Sequence, residues 1–158
     1  MKRGSSAEGF NTGRDAMADW YGTARSNYFQ VRDEAAFRIW AEKRNLHVFE
    51  RPHTAESPAL FGVYSEDGYG GWPSSDVELE EETGDGSIDL CAELAPHLRD
   101  GQIAVLMEIG AERHRYLTGI AVAVDYAGRT VEVTLDDVYQ RAAIEFGSEV
   151  DQITRCTY

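Results

Sequence analysis

From Ile103 to Leu135 the chain reads as three strands in a row. "IAVLMEI" (Ile103–Ile109) and "YLTGIAVAV" (Tyr116–Val124) are joined by the polar tip "GAERHR", and "TVEVTL" (Thr130–Leu135) follows a short turn containing Gly128. In the middle run Thr118, Ile120, Val122 and Val124 fall on one face, and Gly119, Ala121 and Ala123 on the other. Strands this close in sequence pair antiparallel, because a parallel pair needs a crossover of a dozen or more residues. The small residues on the second face leave room for a helix to pack closely. The meander therefore restricts the chain to folds built round an antiparallel sheet.

Upstream, helical and strand periods alternate. "SNYFQV" (Ser26–Val31) reads as a strand and "RDEAAFRIWAEKRN" as a helix. Asp33 is placed to cap that helix, Glu34 suits the positive end of its dipole, and Ala36, Phe37, Trp40 and Ala41 share a face. "LHVFE" (Leu46–Glu50) and "ALFGVY" (Ala59–Tyr64) are further strands. After the Gly-rich loop "EDGYGGWPSS", the run "DVELEEE" alternates Val77 and Leu79 with Asp76, Glu78, Glu80 and Glu82, the pattern of a half-buried strand. Ser87 is expected to cap a short helix through Ile88, Cys91, Leu94, Ala95 and Leu98, ended or kinked by Pro96.

The closing helix, "TLDDVYQRAAIEFG", has Thr134 and Asp137 in the positions of a capping box. Leu135, Val138, Tyr139, Ala142 and Phe146 form the stripe expected to be buried, and Gly147 stops the helix. This order predicts a single compact α+β domain, a mainly antiparallel sheet with about three helices packed on one face. Its expected limits are 21–147, after a disordered leader over 1–20 (with Met17 a candidate natural start) and before a C-terminal tail over 148–158.

Composition narrows the function more than the fold. At 158 residues, 42% hydrophobic, the chain can bury enough apolar surface to fold without a disulfide or a metal. The net charge is −13, unevenly spread: residues 1–51 carry nine Lys/Arg and seven Asp/Glu, and residues 99–158 six and ten. Residues 52–98 carry eleven Asp/Glu and no Lys or Arg. Such a field repels nucleic acid and anionic membrane and attracts basic surfaces. The expected partner is accordingly a basic nucleic-acid-binding protein, with no direct nucleic-acid or membrane contact. The longest purely apolar run, Ile103–Met107, is far short of the ~20 residues of a membrane helix. Two cysteines and no secretory signal point to a reducing cytoplasm. Cys91 reads as a small buried residue, and Cys156 lies in the polar tail.

The stretch "SSDVELEEETGDGSID" (Ser74–Asp89) concentrates seven carboxylates with no base among them. As a strand it would set Asp76, Glu78, Glu80 and Glu82 in a row ~6.6 Å apart. Two unit charges at that spacing in water repel by only ~0.6 kcal/mol. The row is therefore tolerable as a charged edge that prevents aggregation, and it also suits contact with a basic partner. The candidate contact face comprises Asp76, Glu78, Glu80, Glu81, Glu82, Asp85 and Asp89, with Tyr69 and Trp72 as apolar anchors; Trp72 before Pro73 equally suits a plug at the end of the sheet. Duplex DNA carries one charge per ~1.7 Å, about four times denser than such a ladder. Mimicry of nucleic acid would need further acids, such as Glu66 and Asp67, on the same face, or a second copy.

Other chemistry is thinner. "EETGDGSIDLCAE" partly fits a calcium loop through Asp85, Gly86, Ile88 and Asp89, but the twelfth position falls on Ala92 and Glu93 comes one residue late. His47, His53, His97 and His114 have no metal-ligand spacing. "DGYGGWP" has glycines but no Lys or helix start to hold phosphate. Arg113, His114 and Arg115 make a small basic tip. No catalytic residue, metal or cofactor is expected. The alternatives to a binding protein are a small-ligand protein or hydrolase using clustered carboxylates, and a homodimer whose edge strands pair.

Four stretches taken together, "ARSNYFQVRDEAAFRIWAE", "GGWPS", "AELAPHL" and "AVLMEIGAERHRYLTGIAVAVDYAG", carry a resemblance that covers Ala24 to Tyr139. The chain resembles small acidic accessory proteins of bacterial plasmids and phages, of the antirestriction or anti-CRISPR type. The resemblance implies a non-enzymatic inhibitor that blunts host defence, some members of that type presenting carboxylates to a DNA-binding groove.

Overall fold

The meander is present and forms half of a six-stranded sheet. The computed structural model describes residues 20–66, 70–76, 78, 80–81, 84–112 and 115–156. In chain order the elements are β1 (Trp20–Ser26), α1 (Glu34–Lys43), β2 (Leu46–Arg51), β3 (Leu60–Ser65), α2 (Leu90–Leu94), β4 (Ile103–Glu112), β5 (Arg115–Asp125), β6 (Thr130–Thr134) and α3 (Asp137–Phe146). Tight 3-10 turns occupy Ala95–His97 and Val150–Gln152. The strands lie in the order β2-β3-β1-β4-β5-β6, each neighbouring pair antiparallel. One antiparallel sheet with three helices makes a single α+β domain. Among the described residues no helix is long and apolar enough to cross a membrane.

The first strand is displaced from its expected place at Ser26–Val31. β1 ends at Ser26 because the next side chain takes over the ladder. Asn27 N–H still donates to the Val105 carbonyl (3.1 Å), while its Oδ1 accepts the Val105 N–H (2.8 Å) and its Nδ2 donates to the Ile103 carbonyl (3.1 Å), so its amide completes the ladder before the backbone departs. Beyond it, Phe29 and Val31 make only single bridges, to Phe61 and Leu98.

The inner face of the sheet holds the core. α1 starts where expected, with Asp33 accepting the Ala36 N–H at 3.0 Å, and buries Phe37, Trp40 and Ala41. Phe37, fully buried, meets Phe29 edge-on at 5.8 Å and Phe61 at 6.0 Å. Burying a side chain of this size contributes about 2–3 kcal/mol. α2 adds Leu90 and Leu94, with Leu98 behind them. Its cap is Asp89, which accepts the Ala92 N–H, not Ser87, which pairs instead with Ser75. Cys91 is half-buried against this core, and burial pushes its thiol pKa up.

The outer face is divided. Over β2, β3 and the Arg25 end of β1 it is covered by the chain's own side chains. Phe49 lies across Gly62, with Tyr28 edge-on to it at 4.9 Å and the Arg25 guanidinium over its ring at 4.4 Å. Arg51 covers Tyr28 in turn at 4.2 Å. Over β4, β5 and β6 nothing covers the sheet among the described residues. The register sets Gly119, Ala121 and Ala123 of β5 between Ile109, Met107 and Val105 of β4 and Leu135, Val133 and Val131 on the β6 side. The result is a furrow with a floor of small residues and walls of large ones. On this face Tyr21, Ile103, Met107, Ile109, Leu117, Val131, Val133 and Leu135 are all exposed.

α3 differs from expectation in what it buries. Its entry is as predicted, with the Asp137 carboxylate accepting the Thr134 N–H and hydroxyl, and Gly147 ends it in the left-handed conformation at φ 67°. The stripe expected to be buried, however, faces solvent: Leu135 and Val138 are more than half exposed and Phe146 is 80% exposed. Only Ala143 is buried. The helix hangs from the β6 edge and packs on the turn at Val150–Gln152, and the Tyr139 hydroxyl accepts the Cys156 N–H at 2.7 Å.

Candidate functional site

The described residues of 74–89 form one lobe between β3 and α2. Its two stems pair antiparallel: Asp76 N–H donates to the Gly86 carbonyl (2.8 Å), Ile88 N–H to the Ser74 carbonyl (3.1 Å), and Ser75 bridges Ser87. Between the stems the chain is helical at Glu78, Glu80 and Glu81, where a strand was predicted. Glu80 N–H donates to the Asp76 carbonyl and Gly84 N–H to the Glu80 carbonyl, and Asp76 Oδ1 accepts the Glu78 N–H. The reason is local. Asp76 offers the first turn a side-chain cap, and glutamate is a good helix former and a poor strand former. Gly86 lets the stems close, because a Cβ there would stand 2.8 Å from the Asp76 carbonyl oxygen and 2.9 Å from Glu80 Cβ.

The acidic ladder therefore does not exist as a row. At 100° per residue Glu78 and Glu81 share a flank, while Glu80 turns toward Gly86. Winding does shorten the spacing: three carboxylates within one turn lie at about one charge per 1.5–2 Å of axis, against ~1.7 Å for duplex DNA. The density is that of nucleic acid, over a single turn.

Arg44 pins the lobe to the domain. It follows α1 with its side chain 7% exposed. Its guanidinium grips Glu93 of α2 with two bonds of 2.7 Å, and its remaining nitrogen donates to Asp76 Oδ2. Trp40 Nε1 donates to the same Glu93 carboxylate at 3.0 Å. These bonds, Arg44's first, hold the Glu93 carboxyl below its ordinary range against the opposing effect of burial. Beside Trp40, with ring centroids 5.4 Å apart, burial pushes the His97 imidazole below its ordinary pKa.

The nine predicted contact residues divide accordingly. Glu78, Glu80, Glu81, Asp85 and Asp89 are exposed on the lobe. Asp85 is held below the usual carboxylate range by the Ser87 N–H, and Asp89 caps α2. Glu78, Glu80, Glu81 and Asp89 make no ion pair among the described residues. Asp76 is instead mostly buried and neutralised by Arg44. Trp72 is half-buried on the core, its backbone N–H bonded to Glu108. Glu82 and Tyr69 lie outside the described residues, as do Asp67, Arg113 and His114. Glu66 lies beside His47 and Tyr64 rather than with the lobe.

No protein-family model matches this chain, and neither curated proteins nor solved structures give a match. What the site can do is therefore argued from its geometry. Among the described residues no three His, Cys, Asp or Glu side chains gather as a metal site. The carboxyls of Asp85, Glu93, Asp125 and Asp137 are all displaced downward in pKa. Each stays a carboxylate at neutral pH, suited to binding positive charge and not to donating a proton. The sequence reading missed Arg44 and Glu93, the pair that positions the lobe; they lie 49 residues apart, with no local signal to join them.

Proposed function

We propose that the chain is a non-enzymatic inhibitor whose acidic lobe docks on the nucleic-acid groove of a basic host protein, in the bacterial cytoplasm, and excludes nucleic acid from it. The observation that carries this reading is a clamped, base-free lobe with exposed carboxylates at Glu78, Glu80, Glu81, Asp85 and Asp89. Holding the lobe through a buried arginine orders it before binding, which lowers the entropy lost on association. The charge density of its helical turn and the resemblance to antirestriction and anti-CRISPR proteins favour a defence protein as the target. Complementary charge speeds encounter and fixes orientation.

The test is affinity capture from a nuclease-treated bacterial lysate. The captured protein should elute in about 1 M salt, where the screening length falls to ~3 Å, and should lose nucleic-acid binding when this chain is added. The triple variant Glu78→Lys, Glu80→Lys, Glu81→Lys should abolish capture without unfolding the domain, because all three side chains face solvent. Capture that survives this reversal, or that ignores salt, ends the reading.

A further inference from the structure

The bare half of the outer face lies apart from the acidic lobe. We infer that it is a homodimer interface in which α3 of each copy lies in the β5 furrow of the other.

Three observations favour a second copy over any other occupant. The first is area. Aromatic residues expose roughly 150–250 Å² each when free, with Ile, Leu, Met and Val toward or below the lower end, so the eight on this face, at 39–71% exposure, present on the order of 800 Å². That exceeds the patch of a typical monomer and equals what one partner of a standard interface buries. The second is self-complementarity. The chain carries a furrow floored by Gly119, Ala121 and Ala123, and an amphipathic helix on which Val138 and Phe146, flanking the half-buried Ala142, are 58% and 80% exposed among the described residues. A two-fold axis satisfies both surfaces twice. The third is charge. In a chain of net −13 the strand positions of this face hold one carboxylate, Asp125, and Arg129 neutralises it at 2.6 Å. On α3 the acids Asp137 and Glu145 flank the Val138–Ala142–Phe146 stripe with Arg141 between them, so the surfaces that meet hold few unpaired acids, and depletion of charge marks interface cores. This pairing is through faces, unlike the edge-to-edge dimer considered from sequence.

Sedimentation equilibrium from micromolar to sub-millimolar concentration tests the inference. The wild-type chain should sediment at twice the monomer mass. Phe146→Asp should raise the dissociation constant at least tenfold with an unchanged circular-dichroism spectrum, because the side chain is already exposed in the monomer. Ala121→Arg, which fills the furrow from the other side, should do the same. In a Cys156→Ser background, chains carrying Ala121→Cys mixed with chains carrying Ala142→Cys should form a disulfide-linked pair under mild oxidation, and neither should do so alone. A wild-type chain that stays monomeric throughout overturns the inference, whatever other protein covers the face. So does a dimer that tolerates both substitutions and yields no mixed disulfide.

Discussion

The two halves of the outer face have similar raw material and opposite fates. Over β2, β3 and β1, Phe49 fills the space above Gly62 and two arginines lie on the aromatic layer. Over β4, β5 and β6, the equivalent glycine, Gly119, has the exposed Leu135 side chain nearest to it, and the walls of the furrow stay in solvent. Both halves alternate in the same way, so alternation alone does not decide coverage. What decides it is whether a large side chain from a neighbouring segment can reach across a small one. Tyr28, released from the ladder by Asn27, can reach on one side; on the other, α3 leaves the β6 edge and packs elsewhere.

The comparison can be broken by substitution. The largest contrast is expected from removing rings and branches. Phe49→Ala should cost about 2–3 kcal/mol of unfolding free energy, somewhat below the 3–5 kcal/mol of a fully buried phenylalanine. Ile109→Ala should cost under about 0.5 kcal/mol in dilute protein. Urea titrations followed by Trp40 fluorescence measure both, and equal costs would mean that the halves do not differ. At higher concentration the Ile109→Ala deficit should grow, because it then includes lost association.

The glycines give a second, smaller contrast. A Cβ on Gly62 would lie 2.3 Å from the Phe49 ring and 2.8 Å from the Asn27 carbonyl oxygen, so Gly62→Ala should cost about 1–3 kcal/mol. Gly119→Ala should be near neutral, since the atom it meets, Leu135 Cγ at 2.9 Å, belongs to an exposed side chain free to swing away. A thermal melt of each variant decides it. Third, Arg25→Ala should cost about 0.5–1 kcal/mol, the value of an exposed cation–π contact, and Arg25→Lys should recover part of it.

The smallest effect concerns pH, which separates the outer face from the inner layer. His97 and Glu93 both have lowered pKa values in the fold. For each the unfolded chain binds more protons over the window between its folded and unfolded pKa, so stability rises with pH there. The His97 contribution is complete above about 6.5, its unfolded value, and is lost as pH falls through the folded one. The Glu93 contribution is complete above about 4.3 and is lost on further acidification. Unfolding free energies between pH 7 and 4 should therefore decline, His97→Gln should flatten the upper part, and Ile109→Ala should leave the shape untouched.

Much of the fold was legible because its signals are local. The meander, the Asp33 cap, the Phe37–Trp40–Ala41 stripe, the Thr134–Asp137 contact and the Gly147 stop each depend on residues within a few positions of one another. The first strand was misplaced because Asn27 imitates a strand residue only when Ile103 and Val105 lie beside it. The acidic run alternates like a strand but is wound as a turn, since a period-two pattern of five residues also fits a capped helix once Asp76 has a cap to make. At the candidate site the charge was legible and the clamp was not.

By itself the sequence determined the antiparallel meander, the amphipathic character of both long helices and the concentration of unbalanced negative charge in residues 52–98, because these follow from the order and spacing of neighbours. Only the tertiary structure decided that Arg44 neutralises Asp76, that Glu93 fixes the arginine which holds the lobe, and that the α3 stripe and the β5 furrow both face water. Those outcomes depend on which surfaces meet across tens of residues. An apolar stripe records that something covers it, and its own spacing does not say what.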